Sequence, residues 1–142
     1  MKVTLATKSS KAVNILRKWH LVDAKGKILG RLAPQISKLL QGKHKSTYAS
    51  YLDSGDNVVV VNAKDIVVTG RKADQKRYTH YSGYPGGLKI YKYAELLKTN
   101  PTKIIENAVS GMLPKNKFRS DRLRRLFIYK DNNHSYNEKF GS

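Results

Sequence analysis

Asp53 and Asp56, three residues apart around Ser54-Gly55, are the closest this sequence comes to a catalytic or metal-binding carboxylate pair. Acid–base work needs two carboxylates in different environments, and a hard metal needs further oxygen donors beside them. Here they bracket turn residues just before an apolar run, so the favoured reading is a turn capped by Asx side chains. The four histidines, His20, His44, His80 and His134, show no His-x-x-x-His spacing and have no cysteine partner, which argues against a transition-metal site. No Gly-x-x-x-x-Gly-Lys-Ser/Thr phosphate loop, Gly-x-Gly-x-x-Gly fingerprint or Gly-x-Ser-x-Gly elbow occurs. The expectation is no catalytic residue, no metal and no cofactor.

A second chemistry is better represented: cations interleaved with rings. Lys76-Arg77-Tyr78-Thr79-His80-Tyr81 leads through a turn at Ser82 to Gly87, containing Tyr84, into Leu88-Lys89-Ile90-Tyr91-Lys92-Tyr93. Tyrosines stack on exposed bases or hydrogen-bond to phosphate, and neighbouring cations hold the backbone. An ordinary hairpin with its tyrosines packed inward fits the same residues, and each reading can hold for one face. Lys43-His44-Lys45 follows a helix end, where it complements the negative pole or meets a polyanion. Arg71-Lys72 opens a polar loop. Lys115 to Arg125 carries six cations, Lys115, Lys117, Arg119, Arg122, Arg124 and Arg125, against Asp121 alone, and charge so unmixed repels itself unless a polyanion neutralises it.

The whole chain extends this pattern. It has 142 residues with 28 Lys/Arg against 10 Asp/Glu, a formal charge of +18. Residues 1–50 hold a net +10, residues 51–100 only +3 and residues 101–142 +5, so basic segments flank a nearly balanced centre. The chain has no cysteine, which removes disulfide scaffolds and thiol catalysis and fits a reducing compartment. Its longest apolar run, Val58 to Val61, is far below the ~20 residues of a membrane span, and no membrane partner is expected.

The elements that must position these groups are legible in outline. Trp19 to Ala24 reads as a strand before the Lys25-Gly26-Lys27 turn. Leu32, Ile36, Leu39 and Leu40 have helical spacing; Pro34, tolerable in a first turn, puts the start near Leu32, and Gly42 ends the helix. The Val58–Val61 run fits a central strand covered on both faces, and Ile66 to Thr69 a second strand. Asn100-Pro101 starts a helix with Ile104, Ile105, Ala108, Val109 and Met112 in one stripe, stopped by Pro114. Phe127-Ile128-Tyr129 is a last strand. The division is a basic arm over 1–18, one domain over 19–130 and a polar, loosely held tail over 131–142. The acid-free arm has the composition of a surface arm and also of an organellar targeting segment. Residues and charge together describe a compact basic α/β domain that binds nucleic acid, RNA before DNA, because its cations are spread over loops and termini.

Four stretches carry a resemblance: Leu29-Gly30-Arg31-Leu32-Ala33 to Gly42-Lys43-His44-Lys45, Gly55-Asp56 to Val68-Thr69-Gly70, His80 to Lys89, and Ala108 to Lys117 with its Gly-Met-Leu-Pro-Lys-Asn-Lys. In this order, over about Trp19 to Tyr129, the chain resembles family thirteen of the large-subunit ribosomal proteins, in its bacterial and organellar branch. The resemblance implies a three-layer α/β/α fold with a small, mostly parallel sheet and basic terminal extensions. It also implies a structural, non-catalytic role in the large subunit, supporting assembly and translation. Partners would be large-subunit ribosomal RNA and neighbouring ribosomal proteins, without homo-oligomers. The candidate RNA contacts are Lys43, His44, Lys45, Arg71, Lys72, Arg77, Tyr78, His80, Tyr81, Tyr84, Lys89, Lys115, Lys117, Arg119, Arg122, Arg124 and Arg125. Phe118-Arg119, where bacterial members tend to have glycine, and the Lys130–Tyr136 ending resemble fungal mitochondrial members. Together with the arm they favour the mitochondrial matrix and its ribosome, with a bacterial cytoplasm or plastid as the alternative.

Overall fold

A computed structural model describes residues 15–140. The expected basic arm lies mostly outside them. In chain order come β1 (Trp19–Asp23), α1 (Leu29–Gln41), β2 (Asn57–Val61), a 3-10 turn at Ala63–Asp65, α2 (Lys72–Gln75), β3 (Arg77–Tyr81) and β4 (Leu88–Lys92). Then follow α3 (Tyr93–Thr99), α4 (Pro101–Met112), α5 (Arg119–Arg124), β5 (Leu126–Ile128) and a 3-10 turn at Asn137–Lys139. The architecture is α/β: a parallel sheet in the order β1-β2-β5 with helices against it, and a separate antiparallel pair, β3-β4.

The valine run occupies the middle of the sheet for the reason its composition implies. Successive residues of a strand point to opposite faces, so only a strand covered on both sides wants four consecutive apolar side chains. Val58 and Val60 join Leu32, Ala33, Ile36 and Leu40 of α1 and Ile105 and Val109 of α4 in one buried cluster. Val59 and Val61 are equally buried. Leu21, Val59 and Phe127 align across the three strands on the second face, and Trp19 lies two residues before Leu21 on that face.

The outer layer on this second face is the C-terminal segment. The Tyr136 ring lies 4.9 Å from Trp19 and 4.7 Å from Phe127, Trp19 stacks on Phe127 at 5.7 Å, and Phe140 meets Trp19 edge-on at 6.4 Å. The tail is therefore not the loosely held segment expected. Its two rings, spaced four apart among polar residues, bury aromatic surface that outweighs the polarity around them.

Two local expectations also change. α1 begins at Leu29 rather than Leu32, leaving Pro34 inside the helix; Pro34 and Gly30, four residues back, are both exposed, so water reaches the carbonyl that loses its donor. Ile66 to Thr69 forms a single parallel bridge, Ile28 with Val67, instead of a strand. The end of α1 follows its sequence: Gly42 adopts φ +79 and donates to the Lys38 and Leu39 carbonyls, while Lys43 N–H returns to Lys38. A side chain at Gly42 would also strike the Ser54 carbonyl. α1 is thereby locked against the loop that carries both aspartates.

Candidate nucleic-acid interface

The two aspartates are more than turn caps. Each is the anion of its own cation cluster. Asp53 accepts a bidentate fork from Arg125, Nη1 to Oδ2 at 2.6 Å and Nη2 to Oδ1 at 2.7 Å, and a third bond from Arg122 Nε at 3.3 Å. Arg17 lies 3.9 Å away and donates to the Gly55 carbonyl at 2.7 Å. Partial burial pushes the Asp53 carboxyl up, but the hydrogen bonds and charges of its arginines outweigh burial and hold it below its ordinary value.

Asp56, with no exposed side-chain surface, takes Lys18 N–H at 3.0 Å and the Lys45 ammonium on Oδ1, and His20 and His44, each through Nε2 at 2.8 Å, on Oδ2. Burial again opposes ionisation, yet bonds from Lys45, the Lys18 N–H and His20, with the Lys45 charge, bring its carboxyl down to about 2. Between the aspartates, Gly55 passes so close to the Leu40 carbonyl that no Cβ fits. This corner ties together the segment before β1, the end of α1, the loop before β2 and the α5–β5 junction.

The hairpin is built differently. Tyr84-Pro85-Gly86-Gly87 closes a turn with Gly87 N–H on the Tyr84 carbonyl at 2.9 Å; proline takes the second place, and Gly86, at φ +73, the third, which requires a left-handed residue. The register sets Arg77 opposite Lys92, Tyr78 opposite Tyr91, His80 opposite Lys89 and Tyr81 opposite Leu88. Directly opposed residues share a face, so one face carries Tyr78, Tyr91, His80 and Lys89 and the other Arg77, Lys92, Thr79, Ile90, Tyr81 and Leu88. Tyr81 and Tyr84 are exposed, at 63% and 75%, whereas Tyr78 is half-buried and Tyr93 buried. Burial raises the Tyr93 hydroxyl, and burial followed by Tyr93 raises that of Tyr78. Between Asp74 and Glu95 there is no acid at all. A groove of about 410 Å³ runs between β3 and α4, lined by Lys76, Arg77, Tyr78, Thr79, Asn107 and Ala108.

A model of the family described as ribosomal protein L13 matches residues 17–135. The chain belongs to the ribosomal protein L13 family. It is similar to proteins named large ribosomal subunit protein uL13. That of Thermoanaerobacter sp. (strain X514) is 49% identical over 127 residues, 89% of each chain. That of Clostridioides difficile (strain 630) is 50% identical over 127 residues, also 89% of each. That of Kocuria rhizophila is 46% identical over 132 residues, 93% of this chain and 90% of its relative.

Set on this L13 fold, the expected contacts divide. Lys43, Arg71, Lys72, Arg77, His80, Tyr81, Tyr84, Lys89, Lys115, Lys117 and Arg124 are exposed, and His44 shows part of its ring. Lys72 faces Arg31 across a notch of about 230 Å³ that Ile28, Gly30, Val68 and Thr69 complete. Arg119 is half-buried and donates to Ser110 Oγ at 2.7 Å. Arg122 has to be withdrawn: its side chain is 2% exposed and faces Asp53 and the Phe118 ring. Arg125, 13% exposed, and Lys45, 16% exposed, also spend their charges on carboxylates of the corner, the partly buried Asp53 and the buried Asp56, against the expectation that they face RNA. Residues 122 and 125 are three apart on one side of a helical turn, and that side points inward. Arg31, Lys76 and Lys92 are also exposed, Lys76 and Lys92 within the acid-free stretch of cations and rings and Arg31 on α1, although none of them is among the expected contacts.

Proposed function

We propose that this chain is a structural constituent of the large ribosomal subunit, binding large-subunit ribosomal RNA and supporting assembly and translation without catalysis. Membership of the L13 family supports the role, and the hairpin supports the chemistry. The single observation that carries it is Arg77 facing Lys92 in an exposed, acid-free pair of strands. Like charges directly opposed destabilise a hairpin in water and become favourable only when an anion lies between or over them. Phosphate does this for every cation it meets, and the exposed Tyr81 and Tyr84 rings offer stacking surfaces for unpaired bases.

The contact surface comprises the hairpin, the Lys43-His44 corner, the Arg31–Lys72 notch and the exposed cations at Lys115, Lys117 and Arg124. Leu88 and Ile90, exposed on the hairpin face that holds Tyr81, suit a neighbouring ribosomal protein. The chain works as one copy among different partners, not as a homo-oligomer. Co-sedimentation at physiological salt tests the role: the protein is expected with large subunits, and recovery only from the ribosome-free supernatant overturns it. For the address, the acid-free N-terminal composition supports a mitochondrial ribosome, and the bacterial source of the relatives named above supports a bacterial cytoplasm. Cell fractionation of the full chain tagged at its C-terminus separates the two.

A further inference from the structure

We propose that His20, His44 and Asp56 form a binding site for a zinc-class divalent transition-metal ion. Nothing in the RNA-binding reading requires such a site, and the proposal does not rest on that reading. Three side chains separated by 24 and 12 residues in sequence bring two imidazole nitrogens and a carboxylate oxygen within 4.8 Å of one another. Both Nε2 atoms stand 2.8 Å from the same oxygen, Asp56 Oδ2, and the rings meet edge to face at 5.5 Å.

Two imidazoles and one carboxylate, with a fourth position left to water, are a donor set that zinc-class ions accept. A tetrahedral ion with bonds of about 2.0–2.1 Å holds its ligand atoms about 3.3 Å apart. Admitting one means that each ring withdraws from Oδ2 by about half an ångström while the two Nε2 atoms, which lie within 4.8 Å of each other, settle at that same spacing. They have that freedom, being 30% and 28% exposed, and they leave the cluster open to solvent on one side. The carboxylate does not: Lys18 N–H and the Lys45 ammonium fix its other oxygen, and Lys45 is itself held by the Leu16 and Ser54 carbonyls at 2.7 and 2.9 Å. Such outer partners orient a ligating carboxylate. Each ring must turn a bare Nε2 to the ion, a neutral ring by carrying its proton on Nδ1 and a charged ring by releasing one to water. The Lys45 charge beside the site opposes a dication and weakens its binding relative to the same donors without that lysine.

The test uses the full chain without RNA, stripped with a chelator and titrated with cobalt(II), then with zinc(II). Expected is one equivalent of cobalt giving the visible ligand-field absorption of a four-coordinate ion, abolished by zinc. His20→Gln and His44→Gln should each weaken it at least ~10-fold, with the fold checked by circular dichroism, and His80→Gln should leave it unchanged. Both substituted rings are partly exposed, so these variants remain informative where Asp56→Asn fails to fold. Absence of the band at millimolar cobalt, or a band that persists in His20→Gln or His44→Gln, overturns the proposal.

Discussion

The aspartate corner and the β3–β4 hairpin draw on the same residue types and use them in opposite ways. In the corner, Arg122, Arg125 and Lys45, with the more exposed Arg17 beside them, surround the partly buried Asp53 and the buried Asp56, and most of their charge is met inside the protein. In the hairpin, Lys76, Arg77, Lys89 and Lys92 have no acid between Asp74 and Glu95, and their charge is left for a partner. What separates a staple from a contact is the supply of anions: a cation whose charge is already met by a carboxylate of the protein has less of it to offer a phosphate.

The largest break in that comparison comes from removing the anion of the corner. Asp53→Asn keeps the size of the side chain but leaves Arg122, at 2% exposure, without a counter-charge. Loss of one partner of a buried pair costs about 3–5 kcal/mol, and urea unfolding of the full chain should show it. A loss below about 1 kcal/mol would mean that the corner behaves like surface charge, and the contrast with the hairpin would fail.

Acid should release the corner next and leave the hairpin indifferent. The Asp56 carboxyl sits at about 2 when folded against an ordinary 3.8. A folded value below the unfolded one means that the stabilisation is complete above about pH 4 and is lost as pH falls toward 2, about 2 kcal/mol in all. Unfolding free energies measured across this window should fall in the parent and stay flatter in Asp56→Asn, after allowing for that variant's lower starting stability. The hairpin holds no carboxylate to titrate.

How much of this was legible in the sequence follows from the range of the interactions. Asn100-Pro101 and the Ile104–Met112 stripe specify α4 within a dozen residues, and the valine run announces a central strand, because these signals are local. The corner is not local. Arg122 and Arg125 meet Asp53 across 69 and 72 residues, and the parallel register of β1 and β2 brings His20 to Asp56. Nothing in Lys115 to Arg125 distinguishes Arg122, which turns in, from Arg124, whose side chain is 81% exposed. The available hint was the reverse one: two acids beside an apolar strand in a chain so rich in cations were bound to attract some of them. The packing of the tail is not announced by its composition, because Tyr136 and Phe140 barely raise the hydrophobicity of twelve polar residues, although both rings meet the Trp19 surface.

Neutralising hairpin cations should affect binding far more than folding. Arg77→Gln with Lys89→Gln is expected to move the unfolding free energy by no more than about 0.5 kcal/mol, since neither side chain has a counter-ion among the described residues. Affinity for a large-subunit RNA fragment should fall, and the slope of log affinity against log salt should shrink by about 0.7–0.9 for each phosphate contact removed. A comparable loss of stability would place these cations with the corner.

The smallest effect has the most telling sign. Lys92→Glu puts a carboxylate opposite Arg77, turning a like-charged cross-strand pair into an attractive one. Cross-strand pairs of opposite charge contribute about 0.2–1 kcal/mol, so the free chain should become slightly more stable, readable as a small rise in melting temperature at low salt. RNA affinity should fall at the same time, because the new carboxylate repels phosphate and engages Arg77. A gain in stability coupled to a loss of binding is what a surface held in reserve for a polyanion requires. If both fell together, Lys92 would be part of the hairpin's own support, and the division between tied and available charge would have to be drawn elsewhere.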